Sequence, residues 1–105
     1  MAREISKKSL ENKLDALVCE IVHQRKWCQK CKGQEGLQDA HIFGRGNKST
    51  RWDLDNHLLL CDECHKWAHR EPILFKRWLI EKLGIKKYTE LRDKAMQIKQ
   101  WTILE

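Results

Sequence analysis

Cys61-Asp62-Glu63-Cys64-His65-Lys66-Trp67-Ala68-His69 answers an earlier Cys28-Gln29-Lys30-Cys31, and these two cysteine pairs decide how the chain is held together. Each Cys-x-x-Cys pair presents two sulfurs from one tight turn, and two such pairs make the ligand set of a closed tetrahedral zinc site. Residues 32 to 60 between them form a longer gap than a simple zinc ribbon needs. That gap holds Asp39, His41 and Asn56, and the second pair runs on into His65 and His69. These are residue types that bind a second metal ion and activate water.

Around this centre the chain is short. With 105 residues it corresponds to one domain, too small for a core alone to give a comfortable stability. A structural metal is the usual supplement at this size, and its binding free energy adds directly to folding. No apolar run reaches the ~20 residues needed to span a bilayer, and Met1-Ala2-Arg3-Glu4 does not open a signal peptide. A soluble, cytoplasmic protein is expected, in a compartment where paired cysteines stay reduced and serve metals before disulfides. The fifth cysteine, Cys19, lies among apolar residues and is expected to be a buried free thiol.

The net charge of +6 is unevenly spread. Residues 1–32 carry 8 basic and 4 acidic side chains, residues 33–71 carry 5 and 7, and residues 72–105 carry 8 and 4. Basic flanks around an acidic, cation-attracting centre suit a protein that works on a polyanion such as DNA. Helix faces rich in Lys give the same totals, so charge does not choose between the two.

Hydrophobic periodicity supplies the elements. Leu10, Leu14, Leu17, Val18, Ile21 and Val22 recur at helical spacing, predicting a helix over 9–26 with Ser9 as N-cap. Gly33 and Gly36 bracket a turn, and Leu37 to Phe43 reads as a strand with Asp39 and His41 on one side. Gly44 to Thr50 is a loop by composition. His57-Leu58-Leu59-Leu60 is the second strand, and Asp62 is placed to cap a short helix running to about His69. Pro72 opens another helix that stops at Gly84, and a last one is expected from Tyr88 or Thr89 to Thr102, with Leu91, Ala95, Ile98 and Thr102 on its inner stripe. The fold class is α+β: a small zinc-pinned ββα unit over 28–69, with one N-terminal helix before it and two C-terminal helices over 72–104.

The chemistry follows from that unit. His65 and His69, four apart on a helix, can meet one metal ion. Asp39 offers a hard oxygen ligand for Mg²⁺ or Mn²⁺. His41, an imidazole with an ordinary pKa of ~6.5, is the natural base for activating water. Asn56 can tie the loop to the backbone or reach the metal. Arg45 and Arg51 can clamp a phosphate, helped by Lys48 and by Lys66 and Arg70 on the helix.

Asp39-Ala40-His41-Ile42-Phe43-Gly44-Arg45, then Thr50-Arg51-Trp52-Asp53-Leu54-Asp55-Asn56, then Cys-x-x-Cys-His, resembles the HNH or ββα-metal endonucleases with a four-cysteine zinc. Within that group the pattern is similar to the NinG (Rap) recombination nucleases of phages, over residues 28–69. The resemblance implies a DNA endonuclease, with branched or duplex DNA as substrate. It implies His41 as general base, Asn56 as the middle Asn of the motif and His65 as the final His that binds the catalytic ion. The chain departs from the pattern at Ala40, where many members carry Asp or His. The missing ligand role then passes to Asp39 or His69, or His41 itself touches the ion. A zinc on Cys28, Cys31, Cys61 and Cys64 and a labile Mg²⁺ or Mn²⁺ are the implied cofactors, DNA the partner, and a homodimer face on the C-terminal helices near Trp78 or Trp101 is compatible with the same reading. The alternative is a zinc module that binds DNA or protein without catalysis.

Overall fold

The structure, a computed structural model, describes residues 6–44 and 49–97. The chain runs α1 (Lys7–His23), β1 (Leu37–His41), a 3-10 turn (Leu54–Asn56), β2 (His57–Cys61), α2 (Asp62–Arg70), α3 (Pro72–Leu83) and α4 (Ile85–Met96). Among the described residues this is a small α+β architecture with one two-stranded antiparallel sheet and four α-helices. Among the described residues no helix is long and apolar enough to cross a membrane.

The hairpin is the middle layer of the molecule. Its register pairs Leu37 with Cys61, Ala40 with Leu58 and His41 with His57. Successive side chains of a strand point to opposite faces, so the unbroken run Leu58-Leu59-Leu60 requires cover on both. Leu59 packs against Val18 and Val22 of α1. Leu58, Leu60 and Ala40 pack on the other side against Leu79 of α3 and Tyr88 of α4.

The outer edge of β2 is closed by the segment that follows α1. Gln29 donates its backbone N–H to the Leu59 carbonyl at 2.8 Å, and its side-chain oxygen accepts from the Leu59 N–H at 2.8 Å. Arg25 donates to the His57 carbonyl at 2.6 Å and to the Leu54 carbonyl at 3.1 Å. An unpaired strand edge would otherwise be left open for association with other chains.

Several element ends differ from the sequence-based expectation, each for a local reason. α1 begins at Lys7 because the Ser6 hydroxyl accepts the Ser9 N–H at 3.1 Å; Ser6, not Ser9, is the N-cap. It ends at His23, and the chain then turns through Lys26 at φ +72°. Only Val18 and Val22 of its apolar set are buried, while Leu10, Leu17 and Ile21 remain exposed. Cys19 is half-buried, with its sulfur 3.5 Å from His23 Nδ1. β1 stops at His41, two residues short of Phe43. α2 is capped by the Cys61 sulfur, which accepts the Cys64 N–H at 3.4 Å, so Asp62 is a first-turn acid favourable to the helix dipole, not the cap. α4 starts at Ile85 because Gly84, at φ +86°, makes the break in one residue. Leu91 and Ala95 lie on its buried stripe, and Ile98, Trp101 and Thr102 fall outside the described residues.

Candidate functional site

The cysteine centre is built from two local turns. In the first, Cys28 N–H donates to the Gly33 carbonyl at 2.8 Å and Lys32 N–H to the Cys28 carbonyl at 2.9 Å, with Lys32 held at φ +67°. Backbone amides of Cys31 and Gly33 point at the sulfurs of Cys28 and Cys31, both at 3.4 Å. In the second turn, Cys61 closes β2 and Cys64 lies in the first turn of α2. The four sulfurs lie within 4.8 Å of one another, and Cys31 and Cys61 are 3.7 Å apart. A tetrahedron with Zn–S bonds of ~2.3 Å has edges of about 3.8 Å, so the donor set fits a metal ion such as zinc.

The thiol energetics show why a cation belongs there. Burial raises the Cys28 thiol, but the backbone amides of Cys31, Cys61 and Lys30 outweigh it and bring it down to about 6. Burial and the neighbouring thiols Cys61, Cys28 and Cys31 push Cys64 far up. At Cys31 the Gly33 amide favours the thiolate, yet the sulfurs of Cys28 and Cys61 raise it overall. The Cys28 thiolate forms readily, while Cys31 and Cys64 resist. A divalent ion removes that mutual penalty.

On the α1 side of the hairpin, Asp39, His41 and His57 bring their ligand atoms within 4.8 Å of one another. His57 is 3 % exposed. Its Nδ1 meets Asp39 Oδ1 at 2.7 Å and its Nε2 meets the Arg51 carbonyl at 2.8 Å. Both partners are acceptors, which favours a proton on each ring nitrogen. Burial opposes the charge, but the Asp39 and Arg51 hydrogen bonds win and hold His57 above the ordinary histidine range. The His41 and His57 rings are 4.5 Å apart between centroids. The three residues line a cavity of about 420 Å³ with Asp15, Cys19 and His23.

On the opposite side, α2 carries a second imidazole pair. His65 Nε2 and His69 Nε2 are 3.2 Å apart. His65 Nδ1 donates to Gln38 Oε1 at 2.7 Å, and Gln38 Nε2 donates in turn to Asp62 Oδ1 at 3.2 Å. This chain from carboxylate through amide to imidazole fixes the ring and turns the Nε2 lone pair of neutral His65 toward His69. Ligating histidines are oriented in this way by their other nitrogen. Two imidazoles at ~2.0–2.1 Å from one tetrahedral ion stand about 3.3 Å apart, so the pair fits a nitrogen-taking cation. Burial, and then the charge on His69, lower the His65 pKa and favour the neutral, ligating form.

The sequence-predicted residues therefore separate. His65 and His69 come together, but Asp39 is not with them: it lies on the other face of β1, engaged by His57. Of the alternatives left open for completing an ion site on His65, His69 stands beside it, while Asp39 is turned away, since Gln38, not Asp39, is the β1 residue facing α2. Asn56 is fully buried; its Oδ1 accepts from the Phe43 N–H at 2.8 Å and its Nδ2 donates to the Phe43 carbonyl at 3.0 Å. It ties the loop after β1 and is spent on that task.

Arg51 is a further correction. Its guanidinium forks onto Asp15 at 2.6 and 3.0 Å and reaches Glu11 at 3.2 Å, with its side chain only 11 % exposed. Trp52 Nε1 shares Asp15 at 2.9 Å. Arg51 holds the loop to α1 and is not directed at a phosphate. Lys66 is exposed on α2, in an i,i+4 pair with Asp62 at 2.9 Å, and Arg70 is exposed at the end of the same helix. Arg45 and Lys48 lie outside the described residues.

His57 was not singled out by the sequence reading, nor was Gln38. A signal existed for His57: a polar residue opening an otherwise apolar strand, placed opposite His41 once the hairpin register is known. For Gln38 only the fold gives the clue. No family model, curated protein or solved structure matches the chain.

Proposed function

We propose that the chain is a metal-dependent DNA endonuclease of the HNH type, a ββα-metal unit in which β1, β2 and α2 assemble the reacting groups. The observation that carries this reading is the His65–His69 pair: two ligand nitrogens 3.2 Å apart, held by Gln38, a residue of the strand that also carries His41. A module that only needed zinc for folding has no use for that second, oriented donor set.

His65 and His69 would hold the ion, which when bound supplies positive charge to the phosphate and the departing 3′ oxygen. Two imidazoles favour Mn²⁺, Co²⁺ or Ni²⁺ over Mg²⁺, which prefers oxygen ligands. His41 shares the α1 face of the hairpin with Asp39 and His57 and not the face of the imidazole pair; as the last residue of β1 it would accept the proton of the attacking water at a ring nitrogen past the end of that strand. Asn56 fixes the Phe43 backbone two residues beyond His41, so the base is presented from a stationary strand end. Lys66 and Arg70, exposed on the helix that carries the imidazole pair, draw the polyanion to that side.

A second reading has its own support. Arg51 and the Asp39–His57 pair, both within the motif, are engaged in internal ion pairs, as in a zinc module that binds DNA or protein without cutting. One experiment separates them. Supercoiled plasmid with Mn²⁺ or Mg²⁺ is expected to be nicked by the wild type, not in EDTA, and not by His41→Ala at unchanged DNA affinity. Wild-type nicking by His41→Ala removes the base assignment, and no nicking under any divalent ion leaves the binding module. Comparing a four-way junction with linear duplex in the same assay tests the branched-DNA preference; equal rates discard it.

A further inference from the structure

We propose that Asp39, His41 and His57 form a further metal site, for a transition cation taking mixed nitrogen and oxygen ligands such as Zn²⁺, and that filling it silences His41. The blocking role rests on the nuclease reading above; the site itself does not.

The donor set is two imidazoles and one carboxylate, all within 4.8 Å of one another. That combination is characteristic of open zinc and iron sites, where three protein ligands leave room for solvent. The cavity of about 420 Å³ in front of the three residues supplies that room. Their placement is set by main-chain pairing: His41 lies opposite His57 in the ladder, Asp39 is two residues back on the same face, and the Ile42 N–H bond to the Asn56 carbonyl at 2.8 Å extends the pairing past them. His57 Nε2 donates to the Arg51 carbonyl at 2.8 Å, an outer hydrogen bond that leaves Nδ1 as the ligating atom. That Nδ1 already faces Asp39 Oδ1 at 2.7 Å, so an ion enters by replacing the one proton held between them.

The site is separate from the other two. Along the hairpin His57 and Cys61 are four residues apart, about 13 Å. His65 and His69 lie across the sheet, against Gln38. An ion on the α1 side takes the lone pair with which His41 would accept a proton, so excess zinc acts as an inhibitor while the cysteine-bound zinc does not.

The test uses the full chain carrying one zinc on its cysteines, in a His65→Ala/His69→Ala background that removes the imidazole pair. Calorimetric titration with Zn²⁺ is expected to show one further equivalent, weakened about tenfold or more by His41→Ala and by Asp39→Asn. His41→Ala keeps the Asp39–His57 pair, so its effect on binding is read in a folded protein, checked by circular dichroism. Co²⁺ added to the zinc-loaded chain should give weak d–d bands without thiolate charge transfer. Absence of a further equivalent, indifference to His41→Ala, or a thiolate band from the added cobalt overturns the site.

With the wild-type chain in Mn²⁺, excess Zn²⁺ should suppress nicking. Binding without suppression refutes the blocking role. A wild type that nicks nothing under any ion ends the nuclease reading while the calorimetric result stands by itself.

Discussion

Replacing Arg51 separates a structural role from a phosphate contact, and the structure sets the magnitude. The guanidinium makes three charge-assisted hydrogen bonds, two to Asp15 and one to Glu11, and lies over the Trp52 ring at 5.1 Å. Asp15 and Glu11 are only 25 % and 18 % exposed, so Arg51→Ala leaves two carboxylates close together and poorly hydrated. Breaking a fully buried pair costs about 3–5 kcal/mol; the remaining solvent access reduces this to about 2 kcal/mol. For a chain of this size that corresponds to a fall in Tm of roughly 10 °C. Urea denaturation of the zinc-loaded protein measures it, with Asp15→Asn and the double variant closing a cycle whose coupling is expected at about 1–2 kcal/mol. DNA affinity, measured at a temperature where both proteins are folded, should change less than about twofold, whereas Lys66→Ala, which under the proposed function removes a phosphate contact, should weaken it more. Unchanged stability with weakened DNA binding would refute the argument and return Arg51 to the phosphate.

The remaining expectations are shorter. Removing the cysteine-bound metal with a strong chelator at neutral pH should unfold the chain, because apparent binding energies of ~10–16 kcal/mol for such sites exceed the net stability of most small domains; loss of far-ultraviolet circular dichroism reports it, and a native spectrum after metal removal contradicts it. Asn56→Ala empties a fully buried position, strands the half-buried Phe43 N–H and carbonyl and should cost about 2 kcal/mol, with faster hydrogen exchange at the Phe43 amide as the local readout. His57 is held above its ordinary pKa, so it binds protons more tightly folded than unfolded: its contribution is complete below about pH 6.5 and is lost as pH rises through the raised folded value. The Tm difference between wild type and His57→Gln should therefore shrink from pH 6 toward pH 9, and a difference that grows over that range rejects the ion pair.

The cysteine centre was legible in the chain because its information is local. Each Cys-x-x-Cys pair closes within one turn, and most of the amides that aim at its sulfurs belong to the next few residues, the Cys61 amide on Cys28 being supplied from the second pair. The same holds for His65 and His69, whose i,i+4 spacing meets on any helix. Pro72 and Gly84 marked the limits of α3 through their own backbone preferences, while the caps at Ser6 and Cys61 depended on single hydrogen bonds that compete with equally good neighbours.

The division of labour among the polar residues between the cysteine pairs was a matter for tertiary structure alone. Asp39, Asn56 and Arg51 carry side chains equally suited to a metal, a phosphate or an internal partner, and composition cannot rank these. The hairpin register placed His57 opposite His41 and within reach of Asp39. The position of α1 brought Asp15 and Glu11 to Arg51, and the strand alternation turned Gln38 toward α2 and Asp39 away from it. The sequence by itself determined which atoms can bind a metal, since that is a property of residue type and short spacing. Which of them share one ion, and which are spent holding the fold, depended on contacts between residues 13 to 40 apart in the chain, and those exist only after the layers have packed.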